Sequence, residues 1–134
     1  MVSIAFNLLK IAYEFGRGDG QDTIVENDTT ADVVDKLHFD AGISANQLWW
    51  RKAGNNLEVS LIGSTDKVTI SNWYLGTARH VEVFELANGQ QLLDTQVQTL
   101  VQATASFAPP PAGQSTLPPN YQDNLNGVLA ANWH

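Results

Sequence analysis

The chain has 134 residues and a formal net charge of −7, with 7 Lys and Arg against 14 Asp and Glu, and it has no cysteine. That length suits one domain with a core of useful size, and not two independent ones. The acidic balance excludes nucleic acid and anionic membranes as natural partners; the lack of cysteine excludes disulfides and thiol chemistry, so an exported chain of this kind needs another staple, and bound metal would serve.

Residues 1–10 are apolar but too short to span a bilayer and carry no basic leader, so neither membrane insertion nor a Sec-type signal is expected. Ile4, Phe6 and Leu8 alternate like a strand, while Leu8, Leu9 and Ala12 equally suit a short helix. Apolar side chains then alternate at Ile11, Tyr13 and Phe15, at Leu37 and Phe39, at Leu57, Val59 and Leu61, at Val68 and Ile70, and at Val81 and Val83 toward Glu85. Turn residues separate these runs at Gly16–Gly20, Asn27-Asp28, Gly54–Asn56, Gly63–Asp66, Gly76 and Asn88-Gly89. Short strands about ten residues apart predict a sandwich, a barrel or a coiled solenoid.

Helix signals begin near residue 94. Asp94 is a good N-cap, and Val97, Leu100, Val101 and Ala105 form one apolar stripe on a helix predicted to end near Phe107. Pro109-Pro110-Pro111 and Pro118-Pro119 then make a stiff linker. Beyond it, Tyr121, Leu125, Val128, Leu129 and Trp133 return to helical spacing, which predicts a short amphipathic helix that docks weakly or stays mobile.

The strongest local signal is Gly16–Ile24, because Arg17–Ile24 fit the calcium-binding repeat G-G-x-G-x-D-x-U except at Arg17. Gly18 and Gly20 can take backbone angles closed to other residues, which would let successive carbonyl oxygens converge, and Asp22 adds a charged oxygen. Calcium takes roughly six to eight oxygen ligands, so such a turn supplies about half a site. The D-x-U core returns as Asp35-Lys36-Leu37 and Asp66-Lys67-Val68, each opening an apolar alternating stretch. This recurrence favours a solenoid whose inward residues stack rung on rung. The repeat decays, however: Asp22 and Asp35 are 13 residues apart where a strict repeat gives about nine, and the later copies lack the glycines. Tyr13–Gly89 therefore reads as the capping end of a parallel β-roll or β-solenoid, followed by a C-terminal α-helix and a Pro-rich, partly mobile tail.

Tyr13–Ile24, Asn55–Val59, Asp66–Tyr74 and Phe84–Gly89 resemble the haemolysin-type calcium-binding-related domain, which sits near the C-terminus of large bacterial RTX proteins exported by type I secretion. The resemblance implies Ca2+ as the cofactor, with Gly18, Asp19, Gly20, Asp22 and Asp35 as metal ligands. In a two-sheet roll Asp22 and Asp35 need not share an ion. It also implies upstream RTX repeats and the type I secretion machinery as partners, a secreted location, and a non-catalytic role in extracellular folding. Residues 1–108 then form the roll cap with its helix, and residues 109–134 the linker and tail, which includes part of the export signal.

Other constellations carry less. Arg17-Gly18-Asp19 is an adhesive tripeptide, but the calcium turn already accounts for it. Trp49, Trp50, Trp73 and Tyr74 could form an aromatic platform for sugar rings, the alternative reading being a carbohydrate- or surface-binding adhesin module; adjacent strand residues face opposite ways, so Trp49 and Trp50 cannot both serve, and Trp73 is expected in the core. His38, His80 and His134 lack zinc-site spacing, and no nucleophile elbow or phosphate loop is present.

Overall fold

The fold is given by a computed structural model, which describes residues 3–7, 10–16, 18–25, 35–75, 81–105 and 119–134. Two mixed sheets face one another. The first has the order β1 (Ser3–Asn7), β2 (Lys10–Phe15), β4 (Lys36–Phe39), β8 (Val83–Glu85), β9 (Gln91–Leu93); the second has the order β3 (Gln21–Val25), β7 (Lys67–Ser71), β6 (Asn56–Leu61), β5 (Leu48–Ala53).

Three pairings are parallel: β2 with β4, β4 with β8, and β3 with β7. Along the chain, β2, β3 and β4 pass from the first sheet to the second and back, and β7 and β8 repeat the last crossing. The hairpin β5–β6 is inserted between, and β1 and β9 close the ends of the first sheet in antiparallel register. Among the described residues each sheet keeps two ends and no closed barrel forms. The chain is mainly β, as its alternation predicts, but four pairings are antiparallel, so the sheets are not the wholly parallel stacks of a regular solenoid.

The register explains the core. Tyr13, Leu37 and Phe84 lie side by side on β2, β4 and β8, with Phe15 beside Phe39. Opposite them, Ile24, Ile70 and Leu57 form one row of the second sheet, and Val68, Val59 and Trp50 another. All are buried in one apolar cluster, the favourable term that orders the two sheets against each other. The sequence places Val83 on the inner face of β8; the structure puts Phe84 there instead and leaves Val83 half-buried. A strand has period two, and pairing Phe84 with Leu37 fixes which set faces inward.

The helix α1 (Asp94–Thr104) closes one side of this core. Val97, Leu100 and Val101 are buried, and the Thr104 hydroxyl donates to the Trp50 carbonyl at 2.7 Å, tying the last turn to β5. Its N-cap is Leu93 and not Asp94: the Leu93 N–H donates to Gln96 Oε1 at 3.0 Å, and Asp94 lies in the first turn, where its charge suits the helix dipole. A second helix, α2 (Pro119–Asn132), packs on α1 with Leu125 buried, and Trp133 just beyond it joins the main core. In the structure the final segment lies against the core, with Leu125 and Trp133 buried.

Candidate functional site

The turn from β2 to β3 is built as its glycines require. Gly18 and Gly20 have φ of +88° and +79°, which a side chain at either position would strain. Gly16 has no such angle, and a Cβ there would meet the exposed Asp40 carboxylate, which would have to move aside. Because β3 and β7 run parallel, the residues leading into β7 stack beside this turn.

Among the described residues, the donors of the turn converge on one carboxylate. Gly18 and Gly20 donate their N–H groups to Oδ2 and Oδ1 of Asp66, each at 2.9 Å, and Ser64 Oγ lies 3.1 Å from Oδ2. Gly16 donates to Asp19 Oδ2 at 2.8 Å. Three nearby carbonyls accept from backbone donors: Phe15 O from Asp40, Gly16 O from Asp19 and Gly20 O from Lys67. Asp66 is buried, and its carboxyl oxygens meet donors, as burial of such a group requires. An arrangement of N–H donors around a carboxylate has the polarity of an anion nest, opposite to that of a cation cage.

Four of the five residues expected to hold metal lie around this turn. Gly18 and Gly20 point their donors at Asp66, Asp19 caps Gly16, and Asp22 sits inside β3, half-buried, in register with Val68. Asp22 and Asp66 therefore are not equivalent rung positions, though both open a D-x-U string; Gly20 precedes β3 where Asp66 precedes β7. Asp35 is elsewhere. It precedes β4, which is parallel to β2, and so lies at the opposite strand ends from the Gly turn.

There Asp35 is fully buried and meets Glu82, the equivalent residue ahead of β8. Glu82 Oε2 accepts the Asp35 N–H at 3.0 Å, Asp35 O accepts from Glu82 and Val83, and Glu82 O accepts from Asp94 at 3.0 Å. Burial chiefly, and the Asp35 and Asp94 carboxylates in addition, push the Glu82 carboxyl up to about 6, against the opposing pull of the Asp35 N–H. A raised acid pKa in the fold means that the folded state holds its proton more tightly than the unfolded chain does. The associated stability is present below the unfolded value and is lost as pH rises through about 6. Glu82→Gln keeps an acceptor for Asp35. It is expected to raise the melting temperature at pH 7 and to flatten its decline between the ordinary carboxyl value of 4.5 and about 6 relative to the parent chain. A variant that tracks the parent across that range sinks this assignment.

Outer-face ladders are ordinary by comparison. Glu85 accepts from Gln91 at 2.8 Å and pairs with Lys36 at 3.2 Å, which hold its carboxyl below the usual range. Glu58 lies between Arg51 and Lys67 on the second sheet. Trp50 and Trp73 are core residues, and Trp49 is buried under α2 with its ring 5.9 Å from that of Tyr121. These three indoles offer no open face to a sugar ring. Arg17 and His80 lie outside the described residues. Among the described residues no group of three or more Asp, Glu or His is arranged to hold a metal ion, and no helix is long and apolar enough to cross a membrane.

The site sits on two facing mixed sheets with helices beside them, and Asp35, Asp66 and Glu82 stand just ahead of their strands. Residues 56–96, from β6 to the first turn of α1, match the haemolysin-type calcium binding protein related domain, the family that the sequence resembles. The chain is also similar to the iron-regulated protein FrpA of Neisseria meningitidis serogroup C, at 30% identity over 93 residues. That match covers 67% of this chain and 8% of the relative, so the chain spans only a small part of the protein it resembles.

Proposed function

We propose that this chain serves as the calcium-responsive, non-catalytic end of a larger exported RTX protein, helping it fold once outside the cell. The observation that carries the reading is the family match across residues 56–96, which contains Asp66 and Glu82 and two of the four strands of the second sheet. The parallel pairings β2–β4–β8 and β3–β7 support its reading as a capped β-roll, with upstream repeats preceding it. The net charge of −7 supports a linkage mechanism. Where calcium is scarce the acidic chain repels itself; where it is millimolar, ions on carboxylates such as Asp19, Asp22 and Asp35 stabilise the fold by on the order of 1–3 kcal/mol per site.

Residues 109–134 are the segment we assign to export by the type I machinery. Of that segment residues 119–134 are described, and Leu125 and Trp133 are buried there. The test is thermal unfolding in chelator and in millimolar calcium. The melting temperature is expected to rise with calcium and much less with magnesium, whose octahedral demand suits a flexible oxygen site poorly. Asp22→Ala is expected to weaken that response while leaving the chelated protein level or slightly firmer, through loss of a like charge. No shift with calcium in the parent chain overturns the calcium reading.

A further inference from the structure

We infer that the Gly18–Gly20 turn is a carboxylate-binding nest whose ligand is Asp66 of this same chain, so that these two stacked turns are bridged by a side chain and not by an ion. The argument is one of polarity. A cation bridging adjacent turns needs oxygens aimed at it, yet here the groups that meet between the turns are the Gly18 and Gly20 N–H donors and both oxygens of one carboxylate, at 2.9 Å each. A cation placed against those N–H groups would be repelled by their dipoles, and the carboxylate that could hold it is already turned toward the glycines.

Three further observations fit a built site. Asp66 is more than nine-tenths buried, at 7% exposure, which an ionised group tolerates only when its oxygens are met by donors. Its position is fixed from its own side: its N–H donates to Ser64 Oγ at 3.1 Å, and its carbonyl accepts from Leu61 at 3.0 Å. The nest is also locked to the sheet, because the residue after Asp66 donates to Gly20 O at 2.9 Å, continuing the β3–β7 ladder into the turns. Charge-assisted bonds of this kind are about twice as strong as neutral ones, and here they join residues 46 and 48 positions apart. Asp66 therefore closes the coil at this edge as an ion would, but without dependence on the ion.

The inference goes beyond the calcium reading and does not require it. Its test uses the full chain in excess chelator. Hydrogen exchange followed by NMR should show the Gly18 and Gly20 amides protected, and Asp66→Ala should abolish that protection and lower the melting temperature by roughly 5–15 °C. Asp66→Asn keeps the shape and one acceptor but turns an NH2 group on the other glycine N–H, so it should recover only part of the loss. Millimolar calcium should not restore Asp66→Ala to the stability of the parent chain. Unprotected glycine amides in the chelated parent chain overturn the inference even if the Ala variant fails to fold. Calcium raising the melting temperature of Asp66→Ala by more than it raises that of the parent chain also overturns it, since a cation would then be replacing the carboxylate. Failure of the calcium reading looks different: the parent chain ignores calcium while its glycine amides stay protected.

Discussion

Trp133→Ala is expected to lower the stability of the folded chain by about 3–5 kcal/mol, the usual cost of emptying a buried aromatic site. Trp133 is one residue from the end of the sequence given, yet it is only 4% exposed and packs with its ring centroid 6.3 Å from that of Trp50, at the centre of the core. Its N–H continues α2 by donating to Leu129 O, and His134 then exchanges two backbone hydrogen bonds with Gln91, at 2.8 and 3.1 Å. Those bonds cover the edge of β9, which would otherwise offer unpaired donors and acceptors. Trp133→Phe keeps most of the apolar volume and should recover more than half of the loss. Denaturant titration followed by tryptophan emission reads both. A midpoint unmoved by Trp133→Ala would mean that the final segment is not docked in solution, and a chain ending at Ala108 would then fold as well as the whole.

The strands were legible because inward residues alternate over β2, β4, β6 and β7 and turn residues separate them, so local chemistry and burial agree there. β9 and the inward face of β8 were not, since three-residue strands are too short to show a period and Phe84 is chosen by its neighbour Leu37. Both helices were legible from spacing, but the cap of α1 was not: Leu93 has no capping side chain, and the work is done by Gln96 reaching back. The docking of α2 depends on Trp49, Ile62 and Tyr121 meeting across 59 to 72 positions, which no local pattern records.

The candidate site was half legible. That the glycines form a special turn follows from their type. That the turn closes on Asp66 does not, because the contact is set by the parallel register of β3 and β7, and matching D-x-U strings by letter pairs Asp66 with Asp22 when the backbone pairs it with the position of Gly20. Glu82 was missed for the same reason: it carries no D-x-U signature and becomes an equivalent of Asp35 only once β4 and β8 lie side by side. One sequence signal could have found it, the lone acid just ahead of the Val83-Phe84 strand, where Asp35 and Asp66 stand ahead of theirs.

Phe84→Ala should be the most damaging single truncation in the first sheet, costing about 3–5 kcal/mol out of the roughly 5–15 kcal/mol that holds a typical domain together. Its ring is fully buried where the two sheets and the helical cap meet. It stands edge-on to Trp50 at 5.0 Å, lies 5.9 Å from Trp73, and is flanked in register by Leu37 on β4 and Leu92 on β9. Removing it leaves a void bounded by two large indoles and short strands, and rigid rings collapse into such a void poorly. The same cut made at the surface should do little: Leu75 is 58% exposed, and Leu75→Ala should change stability by no more than about 0.5 kcal/mol. Phe84→Leu separates volume from aromatic geometry and should fall between. The three variants can be ranked by urea denaturation at one pH in chelator, so that ion binding does not enter. If Phe84→Ala and Leu75→Ala cost the same, the packing of the first sheet on the second is not the main source of stability, and the parallel strands β2, β4 and β8 are held by their ladders and outer-face pairs instead.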